Sequence, residues 1–264
     1  MAAIPSQSLT GRTALVCGAS KGIGRATAIA LSRAGARTIL LARSPDRLAA
    51  LAKEIEADGG AAVVQVADLD DREALARLVA AMVSSHGPIH ILVNNSAGPP
   101  GGPLLEASPD ALLTAFGRHV LAGHLLVQGL LPGMRSERYG RIINVISTSV
   151  REPIPNLGVS NTIRGAMASW AKSLSRELPP GVTINNVLPG FTDTERLGSL
   201  AAGRAAREGV TAEQVHANWM SQVPEGRLAQ PEETAATIAF LASPAAAYIR
   251  GVSLPVDGGR LRSI

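Results

Sequence analysis

Along the chain, short runs of apolar and β-branched residues alternate with longer stretches whose apolar residues recur at helical spacing. The runs Thr13–Cys17, Thr38–Ala42, Ala62–Val66, Ile89–Asn94, Arg141–Val145, Val182–Val187 and Ser253–Val256 read as strands. Helices are expected over Gly22–Ala34, Pro45–Asp58, Asp71–His86, Pro109–Ser136, Leu157–Leu178 and Pro231–Ala242. Strands separated by helices cannot be joined as hairpins. Crossover connections follow, and with them a doubly wound α/β fold: one seven-stranded parallel sheet with helices on both faces. No break in composition marks a second domain, so residues 1–264 are expected to form a single one.

One stretch interrupts the rhythm. Residues Phe191 to Arg227 are rich in Ala, Arg, Glu and Gly and lie between the sixth strand and the last helix. Long excursions at the carboxyl ends of parallel strands usually cover the ligand crevice, so 191–227 is expected to be a substrate lid. The alternative is a pair of surface helices that only pack. His216, Trp219 and Met220 in this stretch fit either an apolar pocket wall or packing positions.

Composition changes the picture in three ways. Of the 264 residues, 46% are hydrophobic but only 3% aromatic, so the core must be built from aliphatic side chains; 17% charged is low for a soluble surface and points to a homo-oligomer, a tetramer or dimer. The expected contacts are the helices Pro109–Ser136 and Leu157–Leu178 in one interface and the segment from Pro231 onward in another. The net charge of +4 comes from scattered arginines without a basic block, which argues against a nucleic-acid partner. The single cysteine, Cys17, allows no internal disulfide, and Met1 to Gly11 shows no leader-like apolar segment. With no apolar run of membrane-spanning length, a cytoplasmic protein without membrane contact is expected. The histidines His86, His90, His119, His124 and His216 form no metal-ligand motif, so no metal is expected.

Directly after the first strand comes Gly18-Ala19-Ser20-Lys21-Gly22-Ile23-Gly24, opening a helix. Glycines there let the backbone approach a pyrophosphate, whose charge meets the free N–H groups and positive dipole of the helix N-terminus. Further motifs follow in order: Asp68-Leu69, Leu92-Val93-Asn94-Asn95 with Ala97-Gly98, Gly140-Arg141-Ile142-Ile143-Asn144-Val145 leading to Ser147, Asn185-Asn186-Val187-Leu188-Pro189-Gly190, and Val256-Asp257-Gly258-Gly259.

In these motifs the chain resembles the short-chain dehydrogenase/reductase superfamily over nearly its whole length, and is similar to 3-oxoacyl-[acyl-carrier-protein] reductase-like proteins. The resemblance implies a Rossmann-type domain binding a nicotinamide dinucleotide. It assigns Gly18, Ser20, Lys21, Gly22, Ile23 and Gly24 to the phosphates, Asp68 and Leu69 to the adenine, Asn94, Ser96 and Ala97 to the ribose and cofactor edge, and Pro189, Gly190, Thr192 and Thr194 to the carboxamide. The family's Asn-Asn-Ala-Gly is here Asn94-Asn95-Ser96-Ala97-Gly98, one residue longer. The second strand ends Leu41-Ala42-Arg43-Ser44, with Ala42 where NAD-dependent members carry Asp. Together with Lys21, this makes Arg43 and Ser44 candidates for a 2′-phosphate and NADP(H) the expected cofactor. The alternative is that Arg43 and Lys21 are solvated surface cations.

The superfamily's Tyr-x-x-x-Lys is absent between Ser147 and Asn185; the two tyrosines are Tyr139 and Tyr248. Counting along the helix puts Ser160 at the Tyr place and Arg164 at the Lys place, on one helix face, and puts His119 at the relay Asn. Arginine keeps its proton but can stabilise an oxyanion, and histidine can move a proton near neutral pH. Two readings follow: an NADPH-dependent reductase of a carbonyl or conjugated enone that works through Ser147, Arg164, Ser160 and His119 without a tyrosine, or a catalytically inactive dinucleotide-binding scaffold subunit.

Overall fold

A computed structural model describes residues 6–263. Met1 to Pro5, part of the opening segment read for a leader, lie outside the described residues. Seven strands form one parallel sheet: β1 (Thr13–Cys17), β2 (Arg37–Ala42), β3 (Ala61–Val66), β4 (Ile91–Asn94), β5 (Gly140–Val145), β6 (Val182–Pro189) and β7 (Ser253–Val256), in the order β3-β2-β1-β4-β5-β6-β7. The order reverses direction between β1 and β4, and a crevice opens there beyond the strands' carboxyl ends. β1, β5 and β6 are buried along their full length, as expected of strands covered on both faces.

Helices α1 (Gly22–Arg33), α2 (Pro45–Ala57) and α9 (Pro231–Ala242) belong to one face, and α3 (Arg72–His86), α4 (Pro109–Phe116), α5 (Ala122–Ser136) and α6 (Gly158–Glu177) to the other. Alternate strand residues divide accordingly. Ala14, Val16, Leu40, Ile91 and Val93 pack into the first layer, and Leu15, Cys17, Ile39, Leu92 and Ile142 into the second. Cys17 is fully buried there, and burial pushes its thiol up to about 12, which leaves it an unreactive packing residue.

The stretch expected as one helix over Pro109–Ser136 differs from that expectation. A π-turn, Gly117–Leu121, separates α4 from α5. One extra residue in a turn shifts every later side chain around the axis, and such turns gather at functional sites. The interruption carries His119. Residues 191–227 hold two helices, α7 (Glu195–Glu208) and α8 (Ala212–Met220). They close a small core of their own, in which Phe191 and Trp219 stack with ring centroids 5.2 Å apart. Among the described residues no helix is long and apolar enough to cross a membrane.

Candidate active site

A cleft of about 760 Å³ runs along the carboxyl ends of β1, β2, β4, β5 and β6. At one end β1 turns through Gly18 (φ 61°) and Gly22 (φ 54°) into α1, left-handed dihedrals that favour glycine. Ser20, Lys21 and Ile23 line the cleft with them. Lys21 stands at the N-cap position, and no side chain caps the helix start. The first-turn N–H groups are therefore open to a phosphate. Gly24 is not on the wall. A Cβ there would lie 2.2 Å from the carbonyl oxygen of Gly18, so its part is to let the loop fold onto the helix rather than to touch a ligand.

Beyond β2, Arg43 and Ser44 line the cleft beside Asp68 and Leu69, with Arg43 Nη1 3.6 Å from Asp68 Oδ2. No acid stands at the strand end, where Ala42 is buried. A second cation that motif reading missed, Arg47 on the first turn of α2, also reaches the wall. Its position just behind the Arg43-Ser44 strand end is the signal that would have found it. Glu195 at the start of α7 accepts from Lys21 Nζ at 2.8 Å and from Arg47 Nη1 at 3.1 Å. This carboxylate ties the glycine loop and α2 to the helical excursion, and the two cations hold its pKa below the usual range.

After β4, Ser96 and Ala97 line the cleft and Asn94 does not. The Asn94 amide donates to Asn144 Oδ1 (2.8 Å), Asn144 donates to Asn186 Oδ1 (2.8 Å), and Asn186 donates to Ser253 Oγ (3.0 Å). The register places these residues side by side on four neighbouring strands. Asn94 thus commits its side-chain amide to a polar ladder across the sheet, and it borders the adjoining small cavity rather than the main cleft. The longer turn is absorbed locally. Asn95 Nδ2 reaches back to the Cys17 carbonyl (3.3 Å), and Ser96 Oγ lies 2.7 Å from His119 Nδ1.

Pro189, Gly190, Thr192 and Thr194 line the far wall below β6. Thr194 caps α7 by accepting from the Leu197 N–H, and its methyl would lie 3.2 Å from a Cβ on Gly22. The far wall and the glycine loop therefore face each other across the cleft.

At the end of β5, Ser147 caps a short 3₁₀ turn, its Oγ accepting from the Ser149 N–H at 3.0 Å. The hydroxyl proton remains available to a ligand. Ser160 and Arg164, one turn apart on α6, line the same cleft. Arg164 is 8% exposed, donates through Nη1 to the Val145 carbonyl (2.9 Å), and is brought down to about 10 by burial and by the neighbouring Arg196. It stays a cation at working pH. His119 is off the main wall. It borders a side cavity of about 10 Å³, shared with Asn94, Ser96 and Arg164, which has room for about one water. Burial first, then Arg164 and Arg118, lowers its pKa to about 2. The imidazole is neutral at working pH, so it can accept a proton or hold a water rather than deliver a proton as an imidazolium. Tyr139 lies buried between Arg12 and Arg141 and Tyr248 is fully exposed, and neither lines the cleft.

His216 and Met220 stay off the wall, whereas Trp219 both packs on Phe191 and reaches it. Arg118 and Arg196 also line the cleft unanticipated; Arg118 is tied to Asp70 by a forked ion pair. Lone arginines in helices carry no motif by which a sequence could mark them.

The family model described as enoyl-(acyl carrier protein) reductase matches residues 18–260. The 3-oxoacyl-[acyl-carrier-protein] reductase FabG of Vibrio harveyi is 35% identical over 254 residues, covering 95% of this chain and 98% of that protein. Among solved structures, YwfH, an NADPH-dependent reductase involved in bacilysin biosynthesis, superposes with a TM-score of 0.91 at 28% identity, covering 96% of this chain and 99% of that one. The L-sorbose reductase of Gluconobacter frateurii, complexed with NADPH and L-sorbose, also gives 0.91, at 29% identity over 98% of this chain and 99% of that one.

Proposed function

Because the chain belongs to the short-chain dehydrogenase/reductase superfamily, among the FabG-like reductases, we propose that it is an NADP(H)-dependent oxidoreductase that reduces a carbonyl or conjugated enone without a tyrosine acid. The observation that carries this reading is the convergence, in one cleft, of an uncapped helix N-terminus, a strand end without an acid flanked by Arg43 and by Arg47 of α2, and the Ser147–Arg164 pair. The first two features fit a phosphorylated dinucleotide: the glycine loop takes the pyrophosphate, and the cations beside Ser44 take the 2′-phosphate. When bound, NADPH supplies a hydride.

The protein's own part is electrostatic. Ser147 donates its hydroxyl proton to the substrate oxygen, Ser160 adds a second hydroxyl, and Arg164 stabilises the negative charge that develops there. Reduction needs one proton besides the two electrons and hydrogen from the cofactor, and that proton comes from solvent. The side cavity between His119 and Arg164 supplies a place for a relay water. An enone suits such a site well, since its enolate is delocalised and its protonation can follow the redox step. Residues 191–227 act as a lid, with Glu195 joining them to Lys21 and Arg47. Exposed Leu105, Leu113 and Phe116 on and before α4 support a homo-oligomer.

Fluorescence titration with NADPH and NADH, followed by turnover against ketones, aldehydes and enones, tests the reading. Tighter binding of NADPH with enzyme-dependent oxidation by at least one substrate class is expected. Equal binding of NADH sinks the cofactor assignment, and tight NADPH binding with no turnover leaves a scaffold instead.

A further inference from the structure

Two guanidinium groups meet at the substrate end of the cleft with no acid between them. Arg164 comes up from α6 and Arg196 comes from the first turn of α7. Both turn toward the same point. A Cβ placed on Gly98 would lie 3.3 Å from Arg196 Nη2 and 3.6 Å from Arg164 Nη2. Each arginine has one backbone acceptor, Val145 O for Arg164 and Pro99 O for Arg196. Among the described residues, no carboxylate lies within 4.0 Å of either. Of the other cleft arginines, Arg43 and Arg47 each face a carboxylate, Arg118 pairs with Asp70 and Arg204 with Glu208; Arg207, on the last turn of α7, also lacks an ion pair among the described residues but is not one of the two guanidinium groups beside Gly98.

Burying a cation beside a second cation is costly unless an anion joins them. Each guanidinium also keeps donors in a fixed fork suited to a carboxylate. A side chain on residue 98 would take up part of the space beside both guanidinium groups. We propose that the substrate carries a carboxylate next to its reducible carbonyl or enone group, and that this carboxylate is received between Arg164 and Arg196 above Gly98. Ser147 then addresses the oxygen to be reduced. This rests on the reductase reading above and names the class of compound that it acts on: an oxo acid or an unsaturated oxo acid. The glycine loop already offers uncapped helix N–H groups to the cofactor pyrophosphate, which leaves the arginine pair to a different anion.

The experiment uses the full-length protein saturated with NADP+, so that no reduction consumes the probe. Acetoacetate and pyruvate are each titrated against their methyl esters by saturation-transfer NMR, on the wild type and on the Arg196→Gln and Gly98→Ala variants. The acids are expected to bind about 10- to 100-fold more tightly than the esters, the range for hydrogen bonds to charged groups. In both variants that preference should fall nearly to unity while NADP+ affinity stays within about twofold. Acids and esters binding alike, or an acid preference that survives in both variants, overturns the proposal and leaves the reductase reading standing. Arg196→Gln weakening NADP+ as much as the acid also overturns it, because the pair would then serve the cofactor phosphates. Failure of the wild type to bind NADP+ when it is titrated with the cofactor alone removes the reductase reading and this inference with it.

Discussion

The two ends of the cleft are made of different material. At the glycine-loop end the ligand surface is backbone: turns with positive φ, an uncapped helix start, and packing so close that side chains are excluded. At the Ser147 end it is side chain: hydroxyls and guanidinium groups held at defined places by β5, α6 and α7. A backbone site tolerates few substitutions among its glycines. A side-chain site can be rewritten one residue at a time on an unchanged frame. On the proposed reading, that difference lets the chain keep the dinucleotide half of its superfamily's motifs while placing Ser160 and Arg164 in the other half.

The contrast can be broken hardest at Gly24. Gly24→Ala places a methyl 2.2 Å from a backbone oxygen that cannot move independently, and should cost more than about 4 kcal/mol or prevent folding, as read from urea unfolding. An unchanged urea midpoint would show that the loop can relax around the added methyl. At the other end, Arg164→Ala should leave the fold intact and lower kcat by about two to three orders of magnitude, with Arg164→Lys recovering only part because an ammonium lacks the planar fork. A loss confined to cofactor affinity would make Arg164 a ribose anchor rather than an oxyanion stabiliser.

Between the two ends lies the ladder from Asn94 to Ser253. Asn144→Leu leaves the Asn94 amide and the Asn186 carbonyl without partners and should cost about 2 to 4 kcal/mol in chemical denaturation, with little change in the affinity of NADPH. A stability near wild type would mean that the ladder is replaceable by apolar packing.

A pH series sharpens the picture of His119. Its folded pKa lies far below the value of 6.5 for the free group, so between those values the unfolded chain binds more protons and stability rises with pH. His119 should therefore account for about 2 kcal/mol of the stability that the wild type loses between pH 8 and pH 5, and His119→Asn should lose less by about that amount. His90, also lowered by burial, supplies part of the remaining slope. Identical slopes in the two proteins would place the His119 ring in water. The smallest effect is expected at Glu195. Glu195→Gln frees Lys21 and Arg47, both exposed, and should tighten NADPH by no more than about fivefold, the scale of surface ion pairs.

The order of strands and helices was readable from periodicity, because burial on both faces imposes apolar runs on strands and one-sided burial imposes the helical repeat. Strand ends moved by a residue or two, as where β6 extends to Pro189. The π-turn at Gly117–Leu121 was not readable. One added residue leaves the amphipathic pattern of so apolar a stretch almost unchanged, and yet it decides where His119 points.

The same division runs through the site. Gly18, Gly22 and Gly24 announce a tight turn on their own, since the absence of a side chain is a local property that the backbone uses locally. Asn94 could be read as a ligand contact or as a strand-end residue, and it took its role only when β4, β5, β6 and β7 set three asparagines and a serine in register. Arg196 and Gly98 are separated by more than a third of the chain and belong to no common motif. What joins them is the return of α7 across the mouth of the cleft. Charges act through space, so which cations face an acid and which face each other is settled by the packing of distant elements and leaves no mark in the spacing of the residues themselves.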